Sequence, residues 1–286
     1  MGIYGHFSAS HLLGDEASRI VLTCPTITES SGVGCAGDGW GLWTHNDSGD
    51  GPNLYAFDCH GGYLGTVRLD VDNATDWEDM CSFQVQGKPY LAVADTGDNQ
   101  LARPYVEILV IEEPKLESLR SAERSPLVAP IVERYRINFS DGPCDCEALA
   151  YDPLDDSFLR ATKERWRCRL FAVRRIPLSS PSANINRHTR VVSPRLAGTV
   201  LLPLVTAADI SRDGRQLVLG TYGPACLIQR AKGTADSWQF QASNLTMLEL
   251  PARRQGEAIC FSPSGTQLYV TTEGTPAWAW RLPISR

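Results

Sequence analysis

The sequence predicts an all-β chain folded as a single β-propeller of five four-stranded blades, its ring closed by an N-terminal strand. Three observations carry this reading: a frame of three short strands that recurs five times, turn residues spread along the whole chain, and the near-absence of helical periodicity. The 286 residues include 24 Gly and 18 Pro, scattered rather than gathered in a linker, as many short strands require. Between them lie short runs of β-branched and aromatic residues, the signature of strands. The one helical candidate is Pro114 to Arg124 (PKLESLRSAER), read as a short surface helix or a polar loop.

Each frame opens on a first strand. Glu78-Asp79-Met80, Glu147-Ala148-Leu149, Asp209-Ile210-Ser211 and Glu257-Ala258-Ile259 all place an acid directly before a short apolar run. A turn follows (QVQGKP, DPLDD, SRDG, SPSG), then a second strand (YLAVAD, SFLRATK, QLVLGTY, QLYVTTE), then a third (YVEILVIEEP, RLFAVRR, ACLIQR, AWAWRLP). The stretch from Ser31-Gly32-Val33 through GLWTHND and NLYAFD fits the same frame, with Ser-Gly in place of the acid. Frame starts are spaced by 46 residues (32 to 78), 69 (78 to 147), 62 (147 to 209) and 48 (209 to 257). A four-stranded blade takes about 40–50 residues, so the two long intervals hold insertions around 112–130 and 174–190. Fourth strands are read at YLGTVRL, IVERYRI, AGTVLLP and near WQFQAS. The fifth frame reaches the C-terminus without one. Ser18 to Cys24 (SRIVLTC) is a spare strand that completes it and removes an exposed sheet edge. The organisation expected is one domain over 1–286, with an N-terminal extension at 1–17 and a closing strand at 18–24. Six blades are the alternative, if one repeat is degenerate.

Composition excludes some functions. A net charge of −6 argues against a nucleic-acid partner, which needs a basic surface. No apolar run approaches the ~18–20 residues of a membrane span. The first residues lack the basic and apolar regions of a signal peptide, so the chain as written is expected in the cytoplasm, or secreted if a signal has been removed. The nine cysteines are odd in number and lie mostly in apolar strand-like runs, which reads as buried thiols in a reducing compartment. Cys144-Asp145-Cys146 is the one close pair, half of a metal or redox site with no second C-x-C or C-x-x-C beside it.

In a propeller the first strand of each blade lines the channel, and the antiparallel second strand ends beside its start. The acids Glu78, Glu147, Asp209 and Glu257 are therefore expected on one mouth. The second-strand ends His45, Asn46, Asp47, Asp95, Asp98, Asn99, Lys163, Tyr222 and Glu273 are expected beside them. Carboxylates crowded at a narrow channel need a cation, or some must keep protons. Their hard oxygens favour Ca²⁺ or Mg²⁺, and Asn46 could add a neutral amide oxygen. The alternative is that each acid hydrogen-bonds loop backbone and holds its blade in register. WTHNDSGD (43–50) has the composition of a calcium loop but not the EF-hand spacing. Asp95-Thr96-Gly97-Asp98-Asn99 is a similar turn on the next blade. His45, beside acids, is the histidine best suited to general acid/base work. Arg103 and Lys163 could receive an anionic substrate group or pair with the rim carboxylates. The seven tryptophans default to core packing.

The motifs W-T-H-N-D-S-G (43–49), D-W-E-D (76–79), D-T-G-D-N (95–99), D-C-E-A-L (145–149), T-A-A-D-I-S-R-D-G (206–214) and Q-G-E-A-I (255–259) together resemble a family of largely uncharacterised bacterial β-propeller proteins, over roughly residues 30 to 275. That family is more distantly similar to phytase-like and gluconolactonase-like propellers, in which mouth acids and amides hold Ca²⁺ and support hydrolysis of phosphate esters or lactones. The resemblance implies Asn46, Glu78, Glu147, Asp209 and Glu257 as ligands of Ca²⁺ or Mg²⁺. A metal-dependent hydrolase at this mouth is expected to use His45, Glu147 and Glu257 as catalytic residues, with Arg103, Lys163 and Tyr222 around a small or anionic substrate. The sequence departs from such relatives in lacking a secretion signal and in its many cysteines. Two other readings stand beside a metal-dependent hydrolase. One is a glycosidase using carboxylates alone, which would set them ~5–9.5 Å apart. The other is a non-catalytic scaffold pinned by an axial metal.

Overall fold

The computed structural model describes residues 8–12, 17–120, 126–138, 142–176, 189–231 and 238–284. They form five sheets, each built on four antiparallel strands. Blade 1 comprises β3 (Ser30–Cys35), β4 (Gly41–Asn46), β5 (Asn53–Asp58) and β6 (Tyr63–Leu69). Blade 2 comprises β7 (Trp77–Val85), β8 (Lys88–Asp95), β9 (Val106–Glu112) and β11 (Glu133–Ile137). Blade 3 comprises β12 (Cys146–Asp152), β13 (Ser157–Thr162), β14 (Cys168–Arg174) and β16 (Arg195–Val200). Blade 4 comprises β17 (Val205–Ile210), β18 (Gln216–Thr221), β19 (Ala225–Gln229) and β20 (Leu245–Glu249). Blade 5 comprises β21 (Ile259–Phe261), β22 (Gln267–Thr272), β23 (Trp278–Pro283) and β2 (Ser18–Val21). Inner strands touch in the circular order β3, β7, β12, β17, β21 and back to β3, so the sheets form a closed ring of five.

Most inner and middle strands are apolar on both faces because each blade packs against two neighbours. In β8, Leu91 and Val93 join Trp43 and Leu54 of blade 1, while Ala92 and Ala94 join Leu149 and Phe158 of blade 3. In β18, Leu217 and Leu219 meet Leu159 and Leu170 of blade 3, while Val218 meets Leu268 and Val270 of blade 5. A fifth layer, with Val33, Phe57, Tyr269 and Ala279, joins blades 5 and 1. The hydrophobic core is thus five slabs, one per blade interface. Strand alternation is what divides each blade's side chains between two of them. Trp43 and Trp77 lie within these layers, whereas Trp40 and Trp166 are exposed.

The ring closes as the sequence suggests. β2 pairs antiparallel with β23, from Ser18 opposite Arg281 to Val21 opposite Trp278, and the Arg19 guanidinium lies over the Trp278 ring. No sixth blade occurs among the described residues. The fourth strand of blade 4 is Leu245–Glu249 rather than the stretch near WQFQAS. Trp238 is instead a buried plug between blades 3 and 4, its Nε1 donating to Asp152 Oδ2 at 3.0 Å. Three short outer strands lie outside the frame. β1 (Ser8–Leu12), β10 (Leu127–Ala129) and β15 (Thr189–Val192) add parallel to β20, β6 and β11. The helical candidate gives α1 (Leu116–Arg120), with Leu119 buried against blade 1.

Candidate metal centre

Blades 1, 2 and 5 shape the same end of the ring in the same way. The residue ending the second strand reaches back to hold the chain entering the first. Asn46 Oδ1 accepts from Thr28 N (3.0 Å) and Glu29 N (3.1 Å). Asp95 accepts from Thr75 N (3.1 Å) and Asp76 N (3.3 Å), and Thr272 Oγ1 accepts from Gln255 N at 3.1 Å. The next backbone N–H then returns to that entering segment: Asp47 to Glu29 O, Thr96 to Asp76 O, Lys163 to Asp145 O, and Glu273 to Gln255 O.

The first strands carry a one-residue bulge at this end, at Ser31, Glu78, Glu147 and Thr206. Glu257 holds the matching place ahead of β21. Such bulges re-aim a side chain, and here they define the rim of the mouth. Acids gather on blades 5, 1, 2 and 3: Glu29, Asp47, Asp76, Glu78, Asp145, Glu147, Glu257 and Glu273. Blade 4 puts Leu204, Thr206 and Tyr222 at the equivalent positions.

Two groups of carboxylates come together on the rim. Asp47, Asp76 and Glu78 each bring one oxygen within 4.8 Å of the others, and so do Glu78, Asp145 and Glu147. Glu78 belongs to both. Gly97 leaves room for two of these carboxylates: a Cβ there would lie 2.1 Å from Glu78 Oε1 and 2.4 Å from Asp76 Oδ2. Burial, followed by the charges of Glu147, Asp47, Asp76 and Asp145, pushes the Glu78 carboxyl far above its ordinary range. Burial also raises Glu147, outweighing the Lys163 ammonium at 2.5 Å. Asp76 rises for the same first cause, reinforced by Asp47. Acids that cannot all ionise together, converging as hard oxygen donors from separate loops, match what Ca²⁺ takes from a protein. The residues present therefore fit the cation that the resemblance implies. Gly97→Ala is expected to weaken Ca²⁺ binding at least tenfold by driving Glu78 and Asp76 apart, read by calorimetric titration.

The expected ligands divide. Glu78 and Glu147 are in the cluster. Glu257 is in register on the rim but outside both groups; Gln255 Nε2 donates to its Oε1 at 2.7 Å, and burial raises it to about 7. Asn46 is committed elsewhere: besides the two bonds its oxygen accepts, its Nδ2 donates to Thr26 O and Asp50 Oδ2, both at 2.9 Å. Asp209 lies three residues deeper than the rim, and Thr206 takes its expected place. Its carboxylate accepts from Ile210 N (2.8 Å) and, across to blade 5, from Phe261 N (2.7 Å), and burial raises it to about 7. The turns show the register: Ser211-Arg212-Asp213-Gly214 matches Ser262-Pro263-Ser264-Gly265, which aligns Asp209 with Cys260.

Asp79, missed as a site residue, also lies in the channel. Its carboxylate accepts from Met80 N (2.8 Å), Leu149 N of blade 3 (2.9 Å) and Ala208 N of blade 4 (3.2 Å). It joins three first strands below the rim, and the mouth is a cup with this floor.

His45 is fully buried between blades 1 and 2. Its Nδ1 bonds Asn46 O at 2.8 Å, its ring meets Trp77 edge-on, and burial lowers its pKa, leaving the imidazole neutral. It does not reach the rim. Arg103 pairs with Asp95 at 2.6 Å and donates to Gly97 O at 2.8 Å, which braces the Gly97 loop. Lys163 pairs with Glu147 and stands 5.1 Å from the Tyr222 ring centroid. Asp98 caps its own turn, accepting from Ala102 and Arg103 N–H groups. Asp76 and Asp145 are the ligand candidates that sequence reasoning overlooked, although the spacing Asp-x-Glu occurs in both D-W-E-D and D-C-E-A-L. Cys144 and Cys146 flank Asp145 as free buried thiols with Sγ atoms 3.7 Å apart, and neither belongs to a metal-holding group among the described residues. All nine cysteines are free, eight of them buried.

No protein-family model matches the chain, and no curated protein matches it in sequence. Solved structures overlay most of it. A gluconolactonase from Xanthomonas campestris is 15% identical, covering 95% of this chain and 91% of that one, with a TM-score of 0.49. The β-propeller domain of Cps50 (Swd1) from Myceliophteria thermophila is 12% identical, covering 94% and 100%, with a TM-score of 0.46. Kuenenia stuttgartiensis hydrazine synthase is 10% identical, covering 90% and 72%, with a TM-score of 0.44. The function of this chain is therefore to be read from its own mouth.

Proposed function

We propose that the mouth binds Ca²⁺, in preference to Mg²⁺, and that the protein is a metal-dependent hydrolase of lactones or phosphate esters. The observation that carries this reading is the position of Glu78, shared by two carboxylate groups and packed beside Gly97, whose missing Cβ leaves room for it. Glu78, Asp47, Asp76, Asp145 and Glu147 would hold the ion. Carboxylates on separate loops suit the flexible, oxygen-rich shell of Ca²⁺ better than the strict octahedron of Mg²⁺. A divalent ion there supplies polarisation of a carbonyl or phosphoryl oxygen and acidification of water.

The remaining work falls to neighbouring side chains. Glu257, raised to about 7 and held by a single Gln255 amide, is poised to exchange a proton near neutral pH. Lys163, between Glu147 and Tyr222, is placed to meet negative charge that develops on the substrate. Glu257 must lose its proton to act as base, so kcat/KM of the Ca²⁺-loaded protein should rise with pH to a plateau, its midpoint below the value of about 7 that Glu257 has in the metal-free rim, because the cation favours the carboxylate. Glu257→Gln should lower turnover by about 10²–10⁴-fold and erase that rise, while Ca²⁺ still binds. A panel of δ- and γ-lactones and aryl phosphates measures both. Tight Ca²⁺ binding with no turnover on the panel would instead support the scaffold reading.

A further inference from the structure

Blade 4 interrupts the acidic rim, and an apolar groove opens beside that interruption. The groove lies between blades 3 and 4 with a volume of about 310 Å³, lined by residues that include Val200, Leu201, Leu202, Pro224, Cys226 and Met247. Thr221 also lines it, but its hydroxyl already donates to Pro224 O at 2.7 Å, so this side chain asks nothing polar of an occupant. At the lip, Leu201 is 82% exposed and Leu204 40%. Trp166, on the neighbouring loop of blade 3, is 79% exposed. A soluble surface leaves such a group uncovered at a binding site more often than elsewhere.

Chain connectivity links the groove to the rim acids. Tyr222 follows Thr221 directly and stands over Lys163, which holds Glu147. Leu204 N donates to Glu164 O at 2.9 Å, tying the groove lip to the Lys163 loop. One step along the chain therefore separates a largely apolar lining from Tyr222, which stands beside Lys163 at the rim. A volume of about ten water molecules, at ~30 Å³ each, admits a hydrocarbon chain but not a helix or a folded partner.

We infer that the ligand of this mouth is an amphiphile: a lactone or ester whose polar head lies among the rim acids and whose alkyl chain, up to about eight carbons, lies in the groove. The inference deepens the hydrolase reading and rests on it only for the chemistry at the head.

The test uses γ-lactones carrying linear alkyl chains of two to ten carbons, with the matching γ-lactams as non-hydrolysable probes. Lactam Kd, measured by calorimetry on the full chain, should fall about fourfold per added methylene and level off near eight carbons. Leu201→Glu should flatten that gradient. Val128→Glu, which alters an exposed residue on blade 1 away from the groove, should preserve it. A Kd independent of chain length, or a gradient unchanged in Leu201→Glu, overturns the inference. So does Leu201-dependent sedimentation with phosphatidylcholine vesicles in the absence of a lactam gradient, which would make the patch a membrane contact. A gradient in lactam binding without hydrolysis of any lactone would remove the hydrolase reading and leave the amphiphile site standing.

Discussion

Asp79→Ala is expected to be the most destabilising single substitution on the channel wall. The carboxylate is fully buried and is the partner of three backbone N–H groups on blades 2, 3 and 4. Alanine leaves all three without that acceptor at a fully buried position. Each buried donor left unpaired costs about 1–3 kcal/mol, so the loss is roughly 3–9 kcal/mol, a large part of the ~5–15 kcal/mol that holds a typical domain together. Burial pushes this carboxyl well above its ordinary pKa, while the three N–H groups pull it down. Asp79→Asn keeps one acceptor oxygen and should lose less. Urea unfolding of the two variants would show the order wild type, Asn, Ala in midpoint. An Ala variant as stable as wild type would mean that the three strands are not joined here.

The second large effect is on pH dependence, through Glu78→Gln. Folding raises Glu78, Glu147 and Glu257 above the ordinary value of 4.5, with Glu257 at about 7 and the other two higher through burial and the charges of neighbouring acids. The folded protein then binds more protons than the unfolded chain from about pH 4.5 to 7 and beyond. Where the folded state holds the extra protons, stability falls as pH rises. Asp209, raised from 3.8 to about 7, adds to the same slope. In EDTA, the melting temperature should therefore be higher at pH 5 than at pH 8. At pH 8 the folded state must keep a proton on Glu78 that the unfolded chain has already given up; Glu78→Gln removes that cost and should raise the pH 8 melting temperature by roughly 2–8 °C, equivalent to about 1–3 kcal/mol. Saturating Ca²⁺ should stabilise wild type at pH 8 but not this variant, so the order of the two proteins reverses when the ion is added. Differential scanning calorimetry at the two pH values, with EDTA or Ca²⁺, makes the comparison. A flat wild-type profile in EDTA would contradict the crowding of the rim.

The blade count was legible because it rests on a pattern that burial enforces. A strand packed between two neighbours must be apolar on both faces, and that signal recurs in YLAVAD, QLVLGTY and QLYVTTE. Ring closure followed from the same count, since one strand was missing at the C-terminal end and one was spare at Ser18. The outer strands β1, β10 and β15 were not legible: each is short and adds only an edge to a sheet already complete. The rim was half legible. Glu78, Glu147 and Glu257 stood out by repetition, but Asp209 mimics them because an acid before an apolar residue serves equally well to hold two backbone N–H groups in the channel. Only the turn that follows reveals its depth. Asn46 and His45 had the right chemistry at the right strand end. The hydrogen bonds that consume the Asn46 amide depend on the entering loop at Thr26–Glu29, the imidazole is buried against Trp77 of blade 2, and no local pattern encodes either contact. Asp76 and Asp145 were visible in spacing and overlooked because a bulge, which sequence does not mark, sets which residues face the mouth.

The central claim is that the rim carboxylates around Glu78 hold a hard divalent cation. The most direct test is calorimetric titration of the EDTA-stripped protein with Ca²⁺ at pH 7.5, repeated with Glu78→Gln and with Asp209→Asn. The account predicts one saturable site, release of protons as the raised carboxyls ionise, loss of the site in Glu78→Gln, and its survival in Asp209→Asn. No heat of binding in the wild type, or equal binding in Glu78→Gln, would contradict it.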